Sequence, residues 1–298
     1  MKIAVTGATG FIGRHVLAQL KAHSAHDLVI VSRQDHVDGL DKIGFQWVKM
    51  NVGDTPADAF ERMGRPDVLI HMAWGGLPNY ASLHHFEREL PAQYQFLKGL
   101  IRSGLKKVLI TGTCFEYGMQ NGALAEDAHT MPTNPYGFAK DALRKQLEYL
   151  QCEQKFQLVW ARMFYLYGEG QAPGSLLPQL QRAVAQGDAQ FNMSKGEQLR
   201  DYMPVEDAAK CIASLAVNDD APAIINVCSG KPVSVRSMVE QWLQKFGWEM
   251  KLHLGYYPYS VHEPMAFWGD CGNLNKYLET RNKNEEVIIL NEPKKGIF

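Results

Sequence analysis

The chain has 298 residues, 31 Lys and Arg against 32 Asp and Glu, a net charge of −1 and 46% hydrophobic content. That balance excludes a strongly basic nucleic-acid binder and an acidic disordered tail, and the length allows one large domain or two small ones. Five dispersed cysteines without a C-x-x-C pair argue for free thiols in a reducing compartment, and ten histidines without an H-E-x-x-H or Cys/His cluster argue against a metal site.

The opening MKIAVTGATGF is cut by Gly7 too early for a signal peptide. No window approaches the roughly 20 apolar residues of a membrane helix, so a cytoplasmic protein is expected. Lys2–Thr6 reads as a strand. Ile12, Val16, Leu17 and Leu20 follow at helical spacing between Phe11 and Leu20. Strands are expected at 28–31, 46–49 and 68–71, then a long helix over 86–102 despite Pro91. A strand at 108–111 precedes a helix over 136–151, which Asn134-Pro135 starts, and a strand at 157–161 follows. Such alternation implies an α/β fold with a parallel sheet covered by helices on both faces.

After Tyr167 the pattern loosens. Gly168, Gly170, Pro173 and Gly174 mark a long loop, followed by a helix over 176–186, a segment at 224–227 and a helix over 235–246. The reading is a nucleotide-binding unit over 1–167 and a smaller C-terminal substrate-binding lobe over 168–298, interleaved with the end of the sheet.

Gly7, Gly10 and Gly13 lie between the first strand and the first helix, in TGATGFIG. Glycines there allow a tight turn, close approach of backbone to a pyrophosphate, and tight helix–strand packing. The helix N-terminus then offers free N–H groups to phosphate. With a strand before and a helix after, the loop points to a doubly wound Rossmann sheet binding a dinucleotide. Ser32 and Arg33 stand at the end of the second strand, where an acid would bind the adenosine ribose hydroxyls. Ser32 brings no charge against a 2′-phosphate, and Arg33 can pair with one. NADP(H) is therefore favoured, while nearby Asp35 keeps NAD(H) open.

Tyr136 and Lys140 are four apart on one helix and so share a face. A phenol with a pKa of about 10 is a poor base near neutrality. A neighbouring ammonium is expected to lower that value. In the reductive direction the same phenol donates its proton to a carbonyl oxygen.

The G-x-x-G-x-x-G spacing and the NPYGFAK segment together resemble the extended short-chain dehydrogenase/reductase family, also called the NAD-dependent epimerase/dehydratase family. LITGTCFEYG, HMAWGG, ARMFYLYGEGQ, GEQLRDYMPVEDAA and INVCSGKPVSV extend the likeness over most of the chain. The resemblance implies a catalytic set of Tyr136, Lys140 and Thr113, with Thr111 the alternative hydroxyl. It implies a cofactor site of Gly7, Thr9, Gly10, Phe11, Ile12, Gly13, Ser32, Arg33, Asn51, Val52, Met72, Ala73, Trp74 and Thr111, completed by Tyr136 and Lys140. It places Thr113, Cys114, Glu116, Tyr136, Tyr165, Leu176 and Arg200 against a substrate. Glu116 either reads a substrate hydroxyl or faces solvent. Arg200 either binds the diphosphate of a sugar nucleotide or forms a surface pair with Asp201 or Glu206. Tyr165 replaces the family's usual Asn, which leaves that contact open.

The implied activity is NAD(P)H-dependent reduction of the C4 ketone of a nucleotide-linked 4-keto-6-deoxyhexose. The specific expectation is dTDP-4-dehydro-6-deoxyglucose reduced to dTDP-fucose, for O-antigen or other surface polysaccharide synthesis. A sugar-nucleotide 4-epimerase and a non-catalytic nucleotide-sensing module are the alternatives. A 4,6-dehydratase fits least, because Cys114-Phe115 stand where such enzymes carry Asp-Glu. Family analogy also implies a homodimer through the helices at 86–102 and 136–151. Neither a nucleic-acid nor a membrane partner is expected.

Overall fold

A computed structural model describes residues 1–23, 26–34, 45–260 and 263–282. In chain order the strands are β1 (Lys2–Thr6), β2 (Asp27–Ser32), β3 (Gln46–Lys49), β4 (Val68–His71), β5 (Lys107–Thr113), β6 (Gly122–Leu124) and β7 (Gln157–Met163). They continue with β8 (Tyr165–Tyr167), β9 (Gln190–Asn192), β10 (Leu199–Pro204), β11 (Ile224–Val227), β12 (Pro232–Ser234), β13 (Lys251–His253) and β14 (Phe267–Gly269). The helices are α1 (Phe11–His23), α2 (Ala59–Arg62), α3 (Leu90–Arg102), α4 (Pro135–Gln151), α5 (Leu176–Gln186), α6 (Val205–Val217), α7 (Val235–Phe246) and α8 (Gly272–Asn282).

A seven-stranded sheet in the order β11-β7-β5-β4-β1-β2-β3 forms the frame, and every pairing in it is parallel. Helices cover both faces, so β4, β5 and β7 are almost unbroken buried runs. Alternate side chains divide between two layers. Ile3, Val5, Ile70, Leu109 and Val159 join Val16, Leu17 and Leu20 of α1 and Ala208, Ile212 and Leu215 of α6. Ala4, Leu69, Val108, Ile110 and Trp160 join Phe96, Leu97 and Leu100 of α3 and Leu143 and Leu147 of α4. The chain winds outward in opposite directions from β1 and β4, which opens a crevice beyond their carboxyl ends. This is the doubly wound Rossmann architecture expected from the β–α alternation.

The lobe has its own core of Leu177, Leu180, Phe191, Met193, Met238, Val239 and Trp242 beneath α5 and α7. Two small sheets, β12-β10-β8 and β13-β9, complete it. The segment at 224–227 belongs to the large sheet instead. There β11 extends the edge by pairing with β7, Ile224 opposite Trp160. The preceding α6 lies in the same layer as α1. A further parallel pair, β14 on β6, sets Phe267 beside Gly122.

Some elements differ from the sequence expectations. β5 runs on to Thr113 and β7 to Met163, with those two residues paired, so Thr113 is the last residue of a strand. The long helix expected over 86–102 is interrupted. His85–Glu89 form a wider π-helical turn, and α3 begins at Leu90 with Pro91 in its first turn. Pro91 has no N–H for the regular ladder, which the wider turn accommodates. The expectations contain no counterpart of α2, α6 or α8.

Candidate active site

The crevice floor is the glycine loop. Gly7 has φ +70°, and a Cβ there would sit 2.7 Å from the Ala73 N and the Met72 C. The turn therefore lies directly against the chain leaving β4. A Cβ on Gly13 would fall 2.1 Å from the Gly7 carbonyl oxygen, so α1 can pack on the turn only with glycine there. Gly10 is exposed, and its added Cβ would lie 3.2 Å from the Gly7 carbonyl oxygen, a tight contact but not an overlap. The open face at Gly10 borders the start of α1, which has no acidic side chain in its first turn. These features fit a dinucleotide pyrophosphate. Thr9, Phe11 and Ile12 are half-buried beside it, and Met72, Ala73 and Trp74 form the opposite wall.

A buried hydrogen-bond chain fixes that wall. Thr6 donates its hydroxyl hydrogen to His71 Nδ1 at 2.8 Å, and His71 Nε2 donates to Gln93 Oε1 at 2.6 Å. Gln93 Nε2 donates to Glu89, which also accepts the Gly75 N–H at 2.9 Å. Burial pushes the His71 pKa down to about 3, so the ring is neutral and this bonding pattern is stable at working pH. Trp74 donates its indole N–H to His85 Nδ1 at 3.1 Å, which leaves the His85 proton on Nε2, facing the Asn79 carbonyl at 2.8 Å.

Tyr136 and Lys140 enter the crevice from α4. Asn134 caps this helix by accepting the Gly137 N–H at 2.8 Å, with Pro135 in its first turn. Gly137 lets the helix approach, since a Cβ there would lie 2.6 Å from the Phe115 carbonyl. Both functional side chains are buried. The rings of His85, Tyr80, Trp74 and Phe115 surround Tyr136, with centroids 5.3, 5.4, 6.0 and 6.4 Å away. Lys140 Nζ donates to the Thr111 carbonyl at 2.9 Å and lies 4.1 Å from the centre of the Trp74 ring. Thr111 and Thr113 are buried at the end of β5.

The expected lowering of the Tyr136 pKa by Lys140 is not what the structure gives. Burial raises the phenol above its ordinary value, and Tyr80, Glu116 and Cys114 add to the rise. Burial also lowers the Lys140 ammonium to about 7, against the raising influence of Glu116 and Glu89. Desolvation is the largest cause for both groups, because both are removed from water.

Glu116 neither faces solvent nor turns toward a substrate. It is wholly buried, and its carboxylate accepts the Thr113 N–H at 2.9 Å, the Trp160 indole N–H at 2.9 Å and the Arg162 Nε–H at 2.7 Å. The residue types that suggested a substrate contact are used instead to tie the turn after β5 to β7. Cys114 is buried with its thiol pKa raised by burial, and Phe115 packs on Tyr80 and Tyr136. An acid–base pair is therefore absent at 114–115.

On the lobe side, Arg200 is buried and forms neither of the expected surface pairs. Its Nη2 donates to Glu263 Oε2 at 3.0 Å, and its guanidinium carbon lies 4.8 Å from the Phe267 ring centre. Tyr165 donates its hydroxyl to the same Glu263 oxygen at 2.8 Å. Asp201 is occupied elsewhere, accepting from Ser229, Gly230 and Gly269. Glu206 lies 3.9 Å from His15. Leu176 is half-buried at the start of α5, against the lobe core.

At the outer rim, Arg33, Lys49, Asn51, Asp54 and Arg62 line a groove of about 490 Å³. Arg33 is exposed, Val52 is half-buried nearby, and Ser32 Oγ accepts the Gln34 N–H at 3.1 Å. Asp35 lies outside the described residues. All five cysteines are free, and among the described residues no group of three or more His, Cys, Asp or Glu is placed to hold a metal. No helix of the described residues is long and apolar enough to cross a membrane.

Residues 3–228 match the NAD dependent epimerase/dehydratase family. The chain belongs to that family. As a member of the NAD dependent epimerase/dehydratase family it is an NAD(P)-dependent enzyme, and the glycine loop supplies the fit for such a cofactor. Among its curated relatives, dTDP-6-deoxy-L-talose 4-dehydrogenase (NAD(+)) of Aggregatibacter actinomycetemcomitans is 28% identical over 275 residues, covering 90% of this chain and 99% of the relative. GDP-6-deoxy-D-mannose reductase of Pseudomonas aeruginosa is 26% identical over 256 residues, covering 80% and 78%. Among solved structures, a UDP-N-acetylglucosamine 4-epimerase from Methanobrevibacter ruminantium M1, in complex with UDP-N-acetylmuramic acid, superposes with a TM-score of 0.80 at 21% identity, over 96% of this chain and 95% of that one. At that identity the likeness is one of fold.

The sequence expectations omitted Tyr80, His85 and Glu263. Glu263 stands in no local signature. Tyr80 and Glu263 reach the crevice from loops and His85 from the π-helical turn, placements that spacing does not encode.

Proposed function

We propose that this enzyme reduces the C4 ketone of a dTDP-linked 4-keto-6-deoxyhexose, giving dTDP-fucose or the 6-deoxytalose isomer. The observation that carries the reading is a Tyr136 held in its protonated form at the crevice end where Lys140 and Thr113 also stand. The relative named a dTDP-6-deoxy-L-talose 4-dehydrogenase, matched over nearly its whole length, supports the substrate class. Phe115 and Cys114 in place of an acid–base pair weigh against dehydration.

The nicotinamide cofactor, when bound, supplies the hydride. Gly7, Gly10 and Gly13 with Thr9, Phe11 and Ile12 would cradle its pyrophosphate, and Asn51 and Val52 its adenine. Met72, Ala73, Trp74 and Thr111 would line its path toward Lys140, which would hydrogen-bond the nicotinamide ribose. Tyr136 gives its proton to the C4 oxygen as negative charge develops there. A nascent alkoxide is far more basic than a phenolate, so a raised phenol pKa still permits the transfer. Thr113 donates a hydrogen bond to the same oxygen, and Lys140 balances the phenolate left behind. Arg200 would meet the diphosphate, sharing its charge between that group and Glu263, with Tyr165, Leu176 and Cys114 along the sugar's path.

NADP(H) is the favoured cofactor, because Arg33 stands with Lys49 and Arg62 in a groove at the ends of β2 and β3. NAD(H) is the alternative, and it is the cofactor in the relative's name. The proposed setting is a cytoplasmic homodimer serving O-antigen or other surface polysaccharide synthesis. Phe138 and Tyr149, exposed on α4, supply an apolar face for the dimer, which light scattering would test.

The deciding assay mixes the enzyme with NADPH or NADH and a panel of 4-keto-6-deoxyhexose nucleotides. Loss of reduced cofactor with the dTDP ketone, one equivalent per alcohol formed, is expected. Interconversion of C4 epimers without net cofactor use would replace the reading with a 4-epimerase. No turnover and mere binding would mean a nucleotide-sensing module.

A further inference from the structure

Beneath Thr113 lies a polar network that none of the steps above uses. Glu116 and Arg162 form an ion pair at 2.7 Å, with side chains 0% and 1% exposed. Arg162 Nη1 continues to the Tyr117 hydroxyl at 2.9 Å and to the Glu126 carbonyl at 3.0 Å. Tyr117 donates in turn to Asn226 Oδ1 at 2.7 Å on β11. The network thus spans three neighbouring strands, β5, β7 and β11. Burying two charges is costly unless their geometry is well satisfied. Here that geometry serves one short turn. Glu116 accepts the Thr113 N–H, and Thr113 Oγ1 accepts the Phe115 N–H at 3.3 Å in a reciprocal capping box. One lone pair of the Thr113 oxygen is thereby used as an acceptor, and its single hydrogen, which faces the neighbouring Cys114 sulfur, is the one it has to donate to a substrate oxygen.

We infer that Glu116, clamped by Arg162 and Trp160, is a positioning residue for the reaction: it fixes the Thr113 main chain so that the Thr113 hydroxyl meets the substrate oxygen as a donor. The inference rests on the role given above to Thr113, but not on the direction of the redox step. Gly112 supports it independently. An added Cβ at Gly112 would lie 2.2 Å from Trp160 Nε1 and 2.6 Å from Glu116 Oε1. The glycine between the two threonines therefore exists to admit this clamp, since its backbone needs no positive φ. The Glu116 charge also acts through space on α4. Glu116 from its turn and Glu89 from the π-helical turn are the acids that raise the Lys140 proton affinity, while His71 on β4 and Tyr136 on the same helix are uncharged.

The test is a double-mutant cycle on T113V and E116Q, with G112A as a second route that keeps every ionisable group. E116Q leaves Arg162 buried without its counter-charge, so the melting temperature and the cofactor Kd of each variant are measured alongside. On the level acid side of the pH profile, where Lys140 keeps its proton in every variant, expected are a fall in kcat of ~10-fold or more for both E116Q and G112A, KM and cofactor Kd within about twofold, and a T113V/E116Q double variant no slower than T113V alone. The alkaline limb of the pH profile moves to lower pH in E116Q and stays in place in G112A. Multiplying effects of T113V and E116Q would overturn the inference. So would normal kcat in a folded G112A variant, or an unmoved alkaline limb in E116Q. The same cycle can be run on epimerisation or alcohol oxidation, so failure of the reductase reading is distinguishable from failure here.

Discussion

The two sides of the crevice are built differently. On the sheet side, Thr113, Tyr136 and Lys140 come from the end of one strand and the first turns of one helix. A capping box, an Asn134 cap and a glycine at 137 fix their geometry. On the lobe side, Tyr165, Arg200 and Glu263 come from three segments scattered over a hundred residues and converge on one carboxylate oxygen. The first arrangement is rigid because local hydrogen bonds and the buried sheet hold it. In the second, Arg200 and Tyr165 lie on the short paired strands β10 and β8, and the acid they share, Glu263, comes from a loop. Chemistry that must be placed within fractions of an ångström belongs on the first side, and recognition that must admit and release a ligand belongs on the second.

That division predicts different kinetic signatures. The largest effect is expected from Gly13→Ala, whose methyl would meet main chain and prise α1 from the turn. Binding of reduced cofactor, followed by fluorescence titration, should be lost, whereas Gly10→Ala should retain part of it. Near-normal binding by the Gly13 variant would remove the loop's assigned role. Tyr136→Phe should lower kcat by at least ~10²-fold while sparing cofactor affinity. A residual rate close to that of the parent would contradict proton donation by the phenol.

The pH dependence separates the sides more finely. Lys140 holds its proton below about 7 and loses it above. The kcat/KM for cofactor should therefore be level below that pH and fall ~10-fold per pH unit beyond it. A profile flat up to pH 9 would show that the ammonium is not required. Arg200→Gln, on the lobe side, should raise KM for the sugar nucleotide about 10-fold with kcat nearly kept, as expected for loss of uniform binding. A drop in kcat with unchanged KM would break the contrast between the sides. The smallest effect should come at the rim. Arg33→Ala is expected to weaken NADPH a few-fold and NADH hardly at all, since an exposed ion pair is worth only ~1 kcal/mol or less. Equal weakening of both would free Arg33 from the 2′-phosphate.

The same contrast decided what could be read from residues alone. The glycine loop and the Tyr136–Lys140 pair are contiguous, so strand–loop–helix order and a spacing of four were enough to find them. Thr113 came from the resemblance of LITGTCFEYG to the family, while the strand expected at 108–111 stopped short of it. Glu116 was visible as a residue but not in its role, since its partners Trp160 and Arg162 are reached only by pairing β5 with β7. Tyr136 was expected to have a lowered pKa because charge proximity is a sequence-level inference, while its aromatic enclosure is not. Arg200 was found by motif, yet its partner Glu263 lies 63 residues away. Ala-rich α6 escaped notice because its charged residues, Glu206, Asp207 and Lys210, stop within the first two turns and 211–216 are all buried.

The threading of the chain between sheet and lobe bears on how such enzymes can be rebuilt. A recognition cassette cut as everything after Tyr167 would take α6 and β11 with it, stripping one edge and one layer from the frame. The tail strand β14, paired with β6, would leave as well. A graft that changes the sugar without dismantling the scaffold has to exchange discontinuous patches, roughly 168–204 and 228–266, and keep the host's own 205–227 between them.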